Sequence, residues 1–323
     1  MVKFFTIVGF MSWSWTVIAQ QGTCYLKMTA GEPYSITNYG IAPKSCTITM
    51  DQRKVQQLRV FRSSGAEMAW VVDKNSLETY IVSTSCLVGC ESAKSDSTSR
   101  YHSLLENSTA APFLLENDGL TRDSASKNNY LSVDLCPSSK KYEKDFFNFI
   151  ANVEPAKEFP VAIALSGDWL LKHADELKEI LALQVNHKIK IAWVNHTRHH
   201  PYTPGLANHQ NFLLRTDVKP IAEIIEQEIL MLSHGLQPSI FLRYPGLISS
   251  QEIMTTTESF GLIPIGSQAW IGKTKSFAPG DILLLHGNGN EPSGIAIFYD
   301  LVKDNKILKY FWSSLTSWGQ SRK

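Results

Sequence analysis

The chain has 323 residues, 43% of them hydrophobic, enough for one large or two ordinary domains around a real core, which excludes a disordered chain. Its 31 basic residues stand against 30 acidic ones and no basic block recurs, so nothing in it offers an electrostatic footprint for nucleic acid or an anionic membrane. A neutral or weakly charged ligand fits this balance.

Residues 1–19 read as a signal peptide: Lys3 precedes an apolar stretch from Phe4 to Ile18, and Val17-Ile18-Ala19 forms a small-residue cleavage pattern. Ser12 and Ser14 interrupt a run already short of the roughly 20 residues a spanning helix needs, so no transmembrane segment is expected after cleavage. Export would carry the five cysteines into an oxidising compartment. Cys24, Cys46, Cys86 and Cys90 all precede residue 100 and suggest two bridges of open connectivity. Cys136 is left as a free buried thiol or a tie between two halves.

Residues 20–135 are predicted as a β-rich, disulfide-bonded domain, because "CTITM", "QLRVFR", "MAWVV" and "TYIVST" are short β-branched and aromatic runs bounded by turn formers. The stretch 91–100, "ESAKSDSTSR", reads as a loop. Residues 136–158 are predicted as a linker in which "CPSSKKYEKDFFNFI" contains a short amphipathic docking helix. From 159 to 323 the period changes. "PVAIAL" reads as a buried parallel strand and "WLLKHADELKEILAL" as one helix. "KIKIAWVN", "PSIFLR", "GLIPIGS" and "GDILLLH" continue as strands, with "IAEIIEQEILMLSHG" as a helix ending at Gly235. Alternating strands and helices predict an α/β fold with a parallel sheet, open or closed into a barrel, and active groups at the C-terminal strand ends. Asp168, His196, Arg243 and His286 fall at those ends.

Three of the nine histidines lie in "VNHTRHHPY" (194–202). A separation of four places His196 and His200 on one side of a helical turn, within reach of one ion, with His199 pointing elsewhere. Two imidazoles and a carboxylate, for which Asp168 is the natural choice, would hold a divalent metal, zinc by type, with a position left open. Trp169, Trp193, Tyr202 and Tyr244 are rings that can stack on a sugar or pack in the core. His173 and His187 are expected in solvent, His234 at a helix C-terminus and His209 in a loop.

Asn195-His196-Thr197-Arg198-His199-His200-Pro201 resembles a motif of the polysaccharide deacetylase family, carbohydrate esterase family 4. "AIALSGDW" stands where that family has its strand-end Asp-Asp motif, "FLRYPG" resembles its Arg-x-Pro motif, "GSQAW" lies at its Asp-containing segment ending in Trp, and "GDILLLHG" resembles its Leu-x-His motif. The resemblance covers residues 159–297. It implies a distorted (β/α) barrel of about seven strands and a metal-dependent hydrolase that removes acetyl groups from an N- or O-acetylated cell-envelope polysaccharide, in the periplasm or secreted. It also implies metal ligation by Asp168, His196 and His200 and general acid catalysis by His286. Leu284 and Trp270 would wall the acetyl pocket, while Arg243 would orient a catalytic carboxylate.

Two positions depart from that pattern. Gly167 stands where the first of the adjacent aspartates belongs, so Gly167→Asp is predicted to raise turnover if a missing base limits it. In place of that base, metal-bound water acidic enough to need none, or another acid such as Asp217 or Glu291, would serve; Gln268 and Ala269 precede Trp270 where an acid would orient His286, and Arg243, without its partner, would be free for an anion. The alternatives are a catalytically inactive carbohydrate-binding protein, or an envelope interaction protein whose β-rich half does the work.

Overall fold

The structure is a computed structural model and describes residues 24–92, 98–153, 157–303 and 312–320. The expected signal peptide lies outside the described residues. The N-terminal half is an antiparallel sheet of β1 (Thr37–Ile48), β2 (Lys54–Ser63), β3 (Ala66–Asp73), β4 (Thr79–Ser83) and β5 (Leu87–Ser92), in the order β4-β3-β2-β1-β5. Both faces of its centre are buried. On β3 the pleat sends Ala69 and Val71 to a small cluster with Ile48, Val55 and Val82, and Met68, Trp70 and Val72 to the main core. Two bridges are present as expected, and the pairing left open is Cys24–Cys86 and Cys46–Cys90, which staple the small cluster; Cys136 is free and buried.

After α1 (Arg100–Thr109) come the strands of a seven-stranded, all-parallel sheet: β6 (Tyr130–Leu135), β7 (Phe159–Leu165), β8 (Ile189–Asn195), β9 (Pro238–Leu242), β10 (Ile263–Pro264), β11 (Ala269–Trp270) and β12 (Ile282–His286). Their order is β10-β9-β8-β7-β6-β12-β11. Helices α2 (Lys144–Ile150), α3 (Gly167–Lys172), α4 (Ala174–Val185), α5 (Pro220–Ser233), α6 (Gln251–Ser259), α7 (Ile271–Thr274) and α8 (Pro292–Lys303) connect or follow them. This is the distorted (β/α) barrel expected, preceded by a β-rich sheet. Its edges are bridged by the segment before β6, where Leu120 pairs with Ile265 and Arg122 with Asp281.

The first barrel strand was misplaced by the sequence reading. Tyr130–Leu135, assigned there to the β-rich half, lies between β7 and β12, so the barrel begins before 136 and α2 is its first helix. Leu131, Val133 and Leu135 pack outward on Phe146, Phe147 and Ile150 of α2, leaving Ser132 and Asp134 on the inner face. The long helix expected over 169–183 is broken at His173, which is buried rather than solvated: its Nε2 lies 3.0 Å from the Ser138 carbonyl and its ring stacks on Trp169.

The two sheets share one core. Leu58, Phe61 and Trp70 join Ile240, Phe241 and Leu262 in a single cluster. Within it Arg59 forms a two-pronged ion pair with Glu228 at 2.8 Å, and both side chains are fully buried. The Tyr39 hydroxyl donates to the same carboxylate at 2.8 Å.

Candidate active site

A cavity of about 750 Å³ opens at the C-terminal ends of the parallel strands, as expected for this fold class. Parallel register sets its floor: His286 of β12 pairs directly with Asp134 of β6. The alternation that turns Asp134 inward also turns Ser132 inward, and both receive Arg243 from the end of β9. The guanidinium donates to Asp134 Oδ1 at 2.7 Å, to Ser132 Oγ at 2.9 Å and to the Gly266 carbonyl at 2.8 Å. Arg243 is fully buried and Asp134 nearly so, so this pair is shielded from water.

Cys136 follows at the mouth of β6. Its Sγ lies 3.5 Å from His196 Nε2, while His196 Nδ1 lies 2.8 Å from the Arg243 carbonyl. A carbonyl only accepts, so Nδ1 carries a proton and Nε2 is the nitrogen turned into the pocket. The His196 and His200 rings meet edge to face, 4.6 Å apart, but not on the expected helical turn: Thr197 and His200 take φ of 66° and 49°, folding the loop back on itself. Such backbone costs of the order of 1–3 kcal/mol per residue and persists where the surroundings impose it. His199 does point elsewhere, its Nδ1 2.7 Å from Glu223.

Glu291 completes the opposite wall. One carboxylate oxygen, Oε2, accepts from Trp270 Nε1 at 2.8 Å and lies 3.0 Å from His286 Nδ1. This carboxylate stands beside His286, where the segment before Trp270 carries no acid, while Asp217, named as a replacement for the base, is exposed and paired with Arg215. Burial alone would lower the His286 pKa, but hydrogen bonds with Cys136 and Glu291 push it up to about 10. Burial alone would raise the Cys136 thiol, whereas His200 and His196 pull it well below its ordinary value.

Among the described residues, two groups of potential metal ligands have their donor atoms within 4.8 Å of one another: Cys136, His196 and His200, and Asp134, Cys136 and His286.

No protein-family model matches the chain. Solved structures similar to it include a family 4 carbohydrate esterase from Bacillus anthracis, 20% identical over 69% of this chain and 92% of that one, with a TM-score of 0.44. The chain is similar to family 4 carbohydrate esterases. PdaA of Bacillus subtilis, another such esterase, shows 18% identity over 71% of this chain and 90% of its own at 0.44. A wild-type pseudoenzyme of the same family from Bacillus anthracis shows 12% identity over 86% and 89% at 0.43.

Several expected site residues lie elsewhere. Asp168 is not among the described ligand groups; α3 has begun at Gly167, and the Asp168 carboxylate accepts from Arg198 at 2.7 Å. The carboxylate beside the histidines is Asp134, which the sequence reading passed over. Arg243 is therefore not free for an anion. Tyr244 is core, 1% exposed, with its hydroxyl 2.7 Å from Thr257 Oγ1. Leu284, Trp270 and Tyr202 do line the cavity; Tyr202 is half exposed and stacked on Phe212. His209 is not among the lining residues, and Trp169 and Trp193 are buried.

Proposed function

We propose that this pocket hydrolyses acetyl groups from an N- or O-acetylated cell-envelope polysaccharide, outside the cytoplasm, with a divalent cation, zinc by preference, held at His196 and His200. The observation that carries the reading is the facing pair on the pocket floor: a carboxylate held by a buried arginine, and, one strand away in register, an imidazole held by a glutamate. Hydrolysis of an amide or ester needs a base for water and an acid for the leaving group, and each is presented in a fixed orientation.

In this scheme Asp134 takes the proton of the attacking water, with Arg243 and Ser132 fixing which oxygen faces the substrate. His286, with its pKa near 10, is protonated at neutral pH and gives its proton to the departing amine or alkoxide. Glu291 holds the ring through Nδ1, so Nε2 is the donating atom. The acetyl methyl fits against Leu284 and Trp270, and Tyr202 offers a ring face to a sugar. The donor chemistry suits a cation, since the Nε2 lone pair of His196 is aimed by the bond its Nδ1 makes. When bound, such an ion supplies Lewis acidity at the carbonyl oxygen and acidifies water. The two disulfides support a secreted or periplasmic address, and no helix among the described residues is long and apolar enough to cross a membrane.

The test is acetate release from a panel of N- and O-acetylated glycans by zinc- or cobalt-supplemented protein. Release is expected; glycan binding without release from any of them would leave a carbohydrate-binding protein in its place.

A further inference from the structure

We propose that the Cys136 thiolate is the third protein ligand of this cation, making the centre Cys-His-His rather than carboxylate-His-His. The inference rests on the cation proposed above, and not on turnover.

The donor atoms of Cys136, His196 and His200 lie within 4.8 Å of one another, the spacing at which three ligands share one ion. The second group, Asp134, Cys136 and His286, shares the same sulfur; there Asp134 keeps Oδ1 on Arg243 at 2.7 Å and His286 keeps Nδ1 on Glu291 at 3.0 Å, and the free atoms of both are the base and acid of the hydrolysis proposed above. Asp168, the carboxylate that would otherwise make a third ligand, is held by Arg198. His196 has one nitrogen committed to a backbone carbonyl, and the other lies 3.5 Å from the sulfur and 3.7 Å from Asp134 Oδ2. Cys136 itself is fixed from behind, its carbonyl accepting from Asn288 Nδ2 at 2.9 Å. A buried thiol packed only among aliphatic groups would be inert; this one faces the imidazoles of His196 and His200, with His286 on its other side.

Binding converts the thiol to a sulfur–metal bond and releases one proton to solvent, with no change of oxidation state. Two imidazoles and a thiolate favour zinc, cobalt or cadmium over magnesium, calcium or manganese, and three protein ligands leave a position open. The soft donor therefore sets the class of metal.

The experiment is cobalt(II) titration of chelator-stripped full-length protein. One equivalent should produce thiolate-to-cobalt charge-transfer absorption in the near ultraviolet and shield Cys136, the free cysteine, from alkylation by iodoacetamide. Cys136→Ser should lose that band, and Cys136→Asp should bind cobalt without it. If Cys136→Ser fails to fold, the wild-type band and the alkylation protection still decide. Cobalt bound with no such band and no shielding, or bound equally by Cys136→Ser, would overturn the thiolate ligand while leaving hydrolysis to be judged by acetate release. No cobalt uptake would overturn the centre altogether. An acyl thioester on Cys136, trapped and seen by mass spectrometry, would also overturn it by making the sulfur a nucleophile.

Discussion

β6 and β7 lie side by side in the sheet, and each leads to an aspartate near its C-terminal end, yet the two carboxylates meet different surroundings. Asp134 is still in its strand, so the pleat that hides Val133 and Leu135 against α2 turns it, with Ser132, toward Arg243. Asp168 comes after β7 has ended. Its backbone N–H already bonds the Arg198 carbonyl, and its side chain meets the Arg198 guanidinium, with 35% of the side chain exposed. Position at a strand end is therefore not enough; parity along the strand decides which acid reaches the pocket.

Substitutions can break this comparison. The largest effect is expected at Asp134→Ala, where loss of the base should slow acetate release about 10²–10⁴-fold, while Asp168→Ala stays near the unsubstituted rate. Next is stability. Arg243→Ala leaves Asp134 buried and unpaired and should cost about 3–5 kcal/mol in urea unfolding. Arg198→Ala removes a partly exposed pair and should cost at most about 1 kcal/mol. A loss between these two, about 1–3 kcal/mol from overpacking, is expected for Gly167→Asp. A Cβ there would stand 2.6 Å from both the Arg198 carbonyl and Gln227 Oε1, so the predicted gain in turnover should not appear. Faster release with unchanged stability would return the working acid to β7.

The smallest effect is a displacement of the pH profile. An acid works while protonated, so activity falls as pH rises through the pKa of His286. Glu291→Gln removes a charge that raises that pKa, and the alkaline limb should move to lower pH. A limb that does not move would mean that Glu291 holds Trp270 alone.

Much of this was readable from residue patterns. The strands from 160 onward announced themselves by continuous apolar runs, and the two histidines by their spacing. β6 did not, because "YLSVDL" carries serine and aspartate on the face that the barrel covers, and only pairing with β7 and β12 shows why a buried strand holds them. A signal was present: an acid at a strand end, then Cys-Pro, then the amphipathic "DFFNFI", which is the same strand-to-helix unit as "VAIALSGDW". Cys136 reads in the sequence as a free buried thiol or a tie between two halves, since 60 residues separate it from His196 and no local spacing links them. Glu291 is named there only as a stand-in for the base, beside Asp217, and its place next to His286 follows from a turn after β12 that no motif marks; nothing in "FLRYPG" tells which ring the core takes, and it takes Tyr244.

The most direct test of Asp134 as the working carboxylate is chemical rescue. Acetate release by Asp134→Ala should rise with added formate, which can enter the vacated space from the cavity, while release by Asp168→Ala should not respond. A flat response from Asp134→Ala, or rescue of Asp168→Ala in its place, would contradict that assignment.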